Sequence, residues 1–115
     1  RIAKSQGLSD GEIREGMILS NEPGFYKKKE YGIRTENLVL VSNSEQRNQS
    51  ESKFLQFETL TLAPIDRSLI DVTMMDEGDL AWLDNYHSDV FEKLAPMMDE
   101  NIKEWLKEET RPIRT

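Results

Sequence analysis

An α+β fold, with antiparallel strands in the first half and two amphipathic helices in the second, is predicted by three observations. The run Leu38-Val39-Leu40-Val41 is continuously apolar, and Phe57, Thr59 and Thr61 alternate with Glu58, Leu60 and Leu62, a period of two. After Asp66 the period changes: Leu80, Leu83, His87, Val90, Phe91 and Leu94 recur at helical spacing. The expected organisation is therefore a sheet region over residues 1–66 and a helical region over residues 67–115.

Each element follows from local chemistry. Ser9-Asp10-Gly11 signals a turn, and residues 12–15 are expected to form one short helical turn. The first strand runs from Met17 to Asn21 and ends at Glu22, where Pro23 and Gly24 turn the chain. Residues 24–32 hold two glycines and three lysines and read as a loop. A second strand begins near Ile33 and reaches Val41, apolar on both faces and expected to be buried. Residues 42–53 are almost devoid of apolar side chains and read as a flexible loop. The third strand, Phe54 to Leu62, is expected to return antiparallel to the second, and Pro64 ends it. In the helical region Asp76, Glu77 and Asp79 suit a helix N-terminus, and Pro96 separates the first helix from the second. Met98, Ile102, Trp105 and Leu106 form the second stripe, and Pro112 marks its stop.

Charge and composition narrow the function. The 115 residues carry a net charge of −7, of which residues 67–115 hold twelve acidic against six basic groups. Such a surface repels phosphate backbones and anionic lipid, so neither nucleic acid nor membrane is an expected partner. No apolar run approaches the ~20 residues of a bilayer span, and the polar first residues are not expected to act as a signal peptide. With no cysteine in the chain, a cytoplasmic setting is expected. The chain begins at Arg1 without Met, and it reads as a piece of a larger protein.

The chemistry concentrates in two carboxylates fourteen residues apart, Glu22 in Ser20-Asn21-Glu22-Pro23-Gly24-Phe25-Tyr26 and Glu36 in Tyr31-Gly32-Ile33-Arg34-Thr35-Glu36-Asn37. Both look like metal ligands. Taken singly, each has a plainer reading: a Glu-Pro-Gly turn is usually surface, a strand-end Glu is usually solvated, and Arg34 is more often a surface cation beside a Glu. Glu58 reads as a structural partner for a polar group on the neighbouring strand. His87 reads as a packing or interface residue, since it is the one histidine and has no second ligand near it in sequence. The Trp82, Tyr86 and Trp105 stripe reads as core or interface.

These strings, with Phe57-Glu58-Thr59-Leu60-Thr61-Leu62-Ala63-Pro64-Ile65, resemble the C-terminal part of the pita-bread catalytic domain of the Xaa-Pro aminopeptidase (aminopeptidase P) family. Trp82-Leu83-Asp84-Asn85-Tyr86-His87 and Trp105 to Ile113 are similar to the helical extension of its longer, cytosolic-type members. The resemblance implies hydrolysis of the peptide bond between an N-terminal residue and a following proline. It implies a dinuclear site, commonly Mn(II), held by two Asp, one His and two Glu, with Glu22 and Glu36 as the two Glu. The remaining three ligands have no counterpart in this chain, so the fragment alone is expected to be inactive. Arg34 is implied as the catalytic and substrate-orienting cation, and Tyr26 as a substrate-binding wall of the proline pocket. Thr35 stands where the family carries Ile or a similar residue. A homodimer through the helical extension is expected. The alternatives are a noncatalytic assembly module and a prolidase-like dipeptidase.

Overall fold

A computed structural model of the chain describes residues 11–44 and 54–113. The chain divides into two compact units, Arg1–Thr61 and Leu62–Thr115.

The first unit is built from five strands: β1 (Ile18–Asn21), β2 (Gly24–Lys27), β3 (Tyr31–Arg34), β4 (Asn37–Asn43) and β5 (Leu55–Thr59). They form an antiparallel three-stranded sheet in the order β1-β4-β5 and a two-stranded sheet, β2-β3. The expected antiparallel return is present: Val39 faces Thr59 and Val41 faces Phe57. Residues 24–32 are not a loop but most of a hairpin, whose turn is Lys28-Lys29-Glu30. The Glu30 N–H donates to the Lys27 carbonyl at 3.0 Å, and Lys29 takes a φ of 64°. The lysine run that argued for a loop is only the tip, because Phe25, Tyr26, Tyr31 and Ile33 supply the strand-forming residues on either side.

The expected single strand from Ile33 to Val41 is two strands, broken at Thr35-Glu36. Pro23 lies across from this break and cannot donate to a ladder; its carbonyl still accepts from the Thr35 N–H at 3.2 Å. Only one face of β4 is buried: Val39 and Val41 are covered, while Leu38 is 45% exposed. Before β1 the chain makes a turn rather than the expected helical turn. Gly16, at φ 86°, supplies the left-handed step, and the Met17 N–H donates to the Arg14 carbonyl at 3.2 Å. Glu58 stands across from Leu40, not from a polar group, because the β4-β5 register sets it there. β4 extends into the expected flexible stretch as far as Asn43, and residues 45–53 lie outside the described residues.

The second unit holds α1 (Glu77–Leu94) and α2 (Glu100–Glu109), the two helices that the 3.6 period predicts. Asp76 caps α1 by accepting the Asp79 N–H at 2.8 Å, and Asp99 caps α2 by accepting the Ile102 N–H at 3.1 Å. Pro96 sits in a short 3-10 turn between them. Tyr86, Val90, Ala95 and Leu106 form the core, with Leu62, Ile65, Phe91, Leu94 and Met98 packed against it. Residues 62–65 join this unit because their backbone is tied to α1. The Tyr86 hydroxyl donates to the Ala63 carbonyl at 2.9 Å, and the Ile65 N–H donates to His87 Nε2 at 3.0 Å. At the other end Asp84 accepts the Ile113 N–H at 2.7 Å, and Arg67 donates to the Arg111 and Pro112 carbonyls.

His87 is fully buried, and its Nδ1 finds no hydrogen-bond partner among the described residues. Burial first, and then the positive charge of Arg67, push the imidazole below its ordinary value, against weaker opposing pulls from Asp84 and Glu109. In the unfolded chain the ring protonates near its ordinary pKa of about 6.5, while in the folded unit it stays neutral to lower pH. The unfolded state therefore binds more protons in that window, and stability falls as pH drops through it. Thermal unfolding followed by circular dichroism should show a falling midpoint from about pH 7.5 to about pH 5.5, with a shallower fall in His87→Gln.

Candidate active site

The hairpin sets the site. On one side of the break Asn21 faces Asn37, and on the other Gly24 faces Arg34. The count is the same from both directions, so the two sheets are two lengths of one ladder with a single register. That register places Pro23 across from Thr35 and Glu22 across from Glu36, with Lys29 at the midpoint. The fourteen-residue spacing of the carboxylates is thus the spacing of a facing pair.

Like charges directly opposite one another destabilise a hairpin. Arg34 offsets them. Its Nη1 lies 3.7 Å from a Glu22 carboxylate oxygen and its Nη2 lies 3.5 Å from a Glu36 oxygen. The side chains are 50% (Arg34), 32% (Glu22) and 41% (Glu36) exposed, so water screens each pair and its worth is about 0–1 kcal/mol. Arg34 reaches both because it precedes Glu36 by two residues, the spacing that returns a side chain to the same face of an extended strand. Its strand partner is Gly24, which has no side chain to contest the space.

Tyr26 is placed by glycines. Its cross-strand partner is Gly32, and a Cβ there would come within 2.6 Å of Tyr26 Cδ1; a Cβ on Gly24 would come within 2.8 Å of the Tyr26 hydroxyl. The ring therefore lies over both glycines. A cavity of about 630 Å³ opens beside it, with Glu22, Pro23, Tyr26, Arg34 and Phe57 among the residues of its wall. The structure thus brings together all four residues singled out from the sequence, Glu22, Tyr26, Arg34 and Glu36, around one break in one hairpin. Phe57 and Asn21, which also line the cavity, carried no signal of their own in the sequence.

Two carboxylates are hard oxygen donors of the kind that hold divalent cations. They fit part of a metal site and not the whole of one. Among the described residues no group of three or more His, Cys, Asp or Glu side chains could enclose an ion, and His87 lies in the other unit.

Residues 53–113 match the C-terminal region of peptidase M24, and residues 1–43 match metallopeptidase family M24. The chain belongs to metallopeptidase family M24. The stretch matched to metallopeptidase family M24 contains Glu22, Tyr26, Arg34 and Glu36. A probable Xaa-Pro aminopeptidase P of Coprinopsis cinerea is 41% identical over 104 residues, which cover 88% of this chain and 17% of that protein. Aminopeptidase P2 of Arabidopsis thaliana is 39% identical over 103 residues, 88% of this chain and 14% of that protein. The crystal structure of X-prolyl aminopeptidase from Caenorhabditis elegans, described as a cytosolic enzyme with a di-nuclear active site, superposes with a TM-score of 0.78 at 33% identity, covering 90% of this chain and 17% of that one. The M24 chain thus spans about a sixth of the length of these relatives. The expected fold, antiparallel pita-bread strands followed by two helices, is the fold observed.

The glycine under Tyr26 gives a test of how this M24 site is assembled. Gly32→Ala should displace the ring, with a change in its NMR shifts. The stability cost should be about 1 kcal/mol or less, because Tyr26 is 64% exposed and can swing outward. Gly11→Ala, where an added Cβ meets nothing within 4 Å, is the control that should leave the Tyr26 shifts unchanged.

Proposed function

We propose that this chain supplies Glu22 and Glu36 as two of the ligands in the two-metal centre of a Xaa-Pro aminopeptidase, an enzyme that hydrolyses the bond between an N-terminal residue and a following proline. The facing of Glu22 and Glu36 across the hairpin carries this reading. One register holds two hard donors on one side of the ladder, at a cost in repulsion that only a cation repays. Two divalent ions, Mn(II) in this reading, supply activation of water and charge stabilisation at the scissile carbonyl when bound.

The chain's own residues do the rest. Arg34 carries only donors, and it would orient a peptide carbonyl or carboxylate of the substrate. Tyr26, with Phe57 in the same cavity wall, would line the pocket for the proline ring, where apolar surface excludes water. The whole protein, a cytosolic enzyme in this reading, would take peptides with proline in second position. A noncatalytic role for the chain by itself is favoured by one observation, the lack of any third ligand close to Glu22 and Glu36 among the described residues. Both readings hold together if the site closes only with the remainder of the protein.

The helical unit exposes Trp82, Trp105 and Ile102 at 51%, 55% and 47%, and Trp82 stacks on Tyr86 with ring centroids 5.3 Å apart. Aromatic anchors of this kind suit a homodimer contact.

In the whole protein, Glu22→Gln and Glu36→Gln should each lower metal content and reduce cleavage of an Xaa-Pro peptide by at least about a hundredfold, since outer partners of a metal already cost about 10–100-fold. The 115-residue chain alone should bind Mn(II) weakly in calorimetry, having two of the five implied ligands. Tight two-ion binding by the chain, or a Glu→Gln variant with full metal and rate, would refute the ligand assignment. Trp105→Ala should weaken association by about 2–4 kcal/mol if it anchors the dimer; sedimentation showing an undiminished dimer would place the helices as a cap on their own subunit.

A further inference from the structure

We infer that Arg34 is a built-in stand-in for the metal: its guanidinium neutralises Glu22 and Glu36 while the site is empty, and cation binding displaces it. The inference rests on the ligand reading above and adds to it a competition between a side chain and the ions. Three observations carry it. The register sets the two carboxylates face to face, where they repel. The guanidinium reaches both with different nitrogens, Nη1 toward Glu22 at 3.7 Å and Nη2 toward Glu36 at 3.5 Å, so one side chain serves both carboxylates. The contacts are long and partly exposed, which leaves them weak enough to be given up to a divalent ion.

The geometry also says where the side chain goes. Gly24, opposite Arg34, presents no side chain, and Arg34 belongs to the wall of the cavity that Tyr26 and Phe57 line. Released from the carboxylates, the fork of donors faces that cavity. Metal loading and the availability of Arg34 to a substrate oxygen are then one equilibrium: the cation that would orient substrate becomes free only when the carboxylates are engaged. A lysine would serve less well, because a point charge cannot reach two carboxylates with separate donors.

The experiment is Mn(II) binding to the metal-free whole protein, with free Mn(II) read by its electron paramagnetic resonance signal, at low and high salt. Arg34→Gln should tighten binding about fivefold at low salt, the size of an interaction near the upper end for exposed ion pairs, and the gain should shrink as salt screens the pairs. Arg34→Lys should fall between wild type and Arg34→Gln, and it serves as the reading should the glutamine variant fail to fold. In the wild type, the Arg34 side-chain nitrogen resonances should change from restricted to freely rotating on saturation with diamagnetic Zn(II). Unchanged or weaker Mn(II) binding in both Arg34 variants would overturn the inference, as would Arg34 resonances indifferent to Zn(II). Glu22→Gln and Glu36→Gln separate the two levels: if they weaken binding while the Arg34 variants do not tighten it, the stand-in fails and the ligands survive, and if they leave binding untouched both readings fall.

Discussion

Two negative charges held face to face across an antiparallel hairpin are the constraint on which the first half of this chain depends. The facing is set by backbone register, which runs unbroken in count from Asn21 and Asn37 to Gly24 and Arg34. A slip of one residue would send one carboxylate to the other side of the ladder, so every feature that pins the register also aims the pair. Lys29 in its left-handed conformation closes the turn, at an unfavourable backbone energy that a lysine does not relieve. Pro23 interrupts the ladder at the pair itself, and the Thr35 N–H bond to its carbonyl keeps the strands together there.

The helical unit answers a different problem. Short helices are marginal in water and depend on packing. Here the packing is secured at both ends by side chains that capture passing backbone. Tyr86 and His87 hold residues 63 and 65, and Asp84 and Arg67 hold residues 111–113. The buried imidazole accepts a hydrogen bond with Nε2 and so works as a neutral group, one that ties Ile65 to α1.

How much of this was legible depended on how local the cause was. The helices were readable because their period is local, as is the Asp76 cap one residue before α1; Asp99, which caps α2 in the same way, was not singled out. The hairpin was not, since three lysines at its tip masked Phe25, Tyr26, Tyr31 and Ile33 beside them. The break at Thr35-Glu36 was hidden because its cause, Pro23, lies twelve residues away in sequence and opposite in space. Glu58 was misjudged for the same reason, since its neighbour Leu40 is chosen by register. Glu22, Tyr26, Arg34 and Glu36 were each singled out from their motifs, yet the relation between them was not. It lay in plain numbers, because two residues equidistant from a turn face each other, but only a hairpin gives that symmetry meaning.

The same symmetry explains why the arginine stands where it does. A cation meant to serve both carboxylates must lie on their face of the ladder and beside one of them, and on an extended strand that means two residues away. On the Glu36 side that position is Arg34. On the Glu22 side the equivalent position is Gly24, and the absence of a side chain there leaves the guanidinium a path across the strands. Exchanging the two residues would keep the charge but put a side chain where the Tyr26 ring lies against Gly24. Placing arginines at both would oppose two cations as surely as the glutamates are opposed. One arginine facing one glycine next to one facing pair of glutamates is therefore an arrangement that meets the register, the room for the Tyr26 ring and the charge balance together.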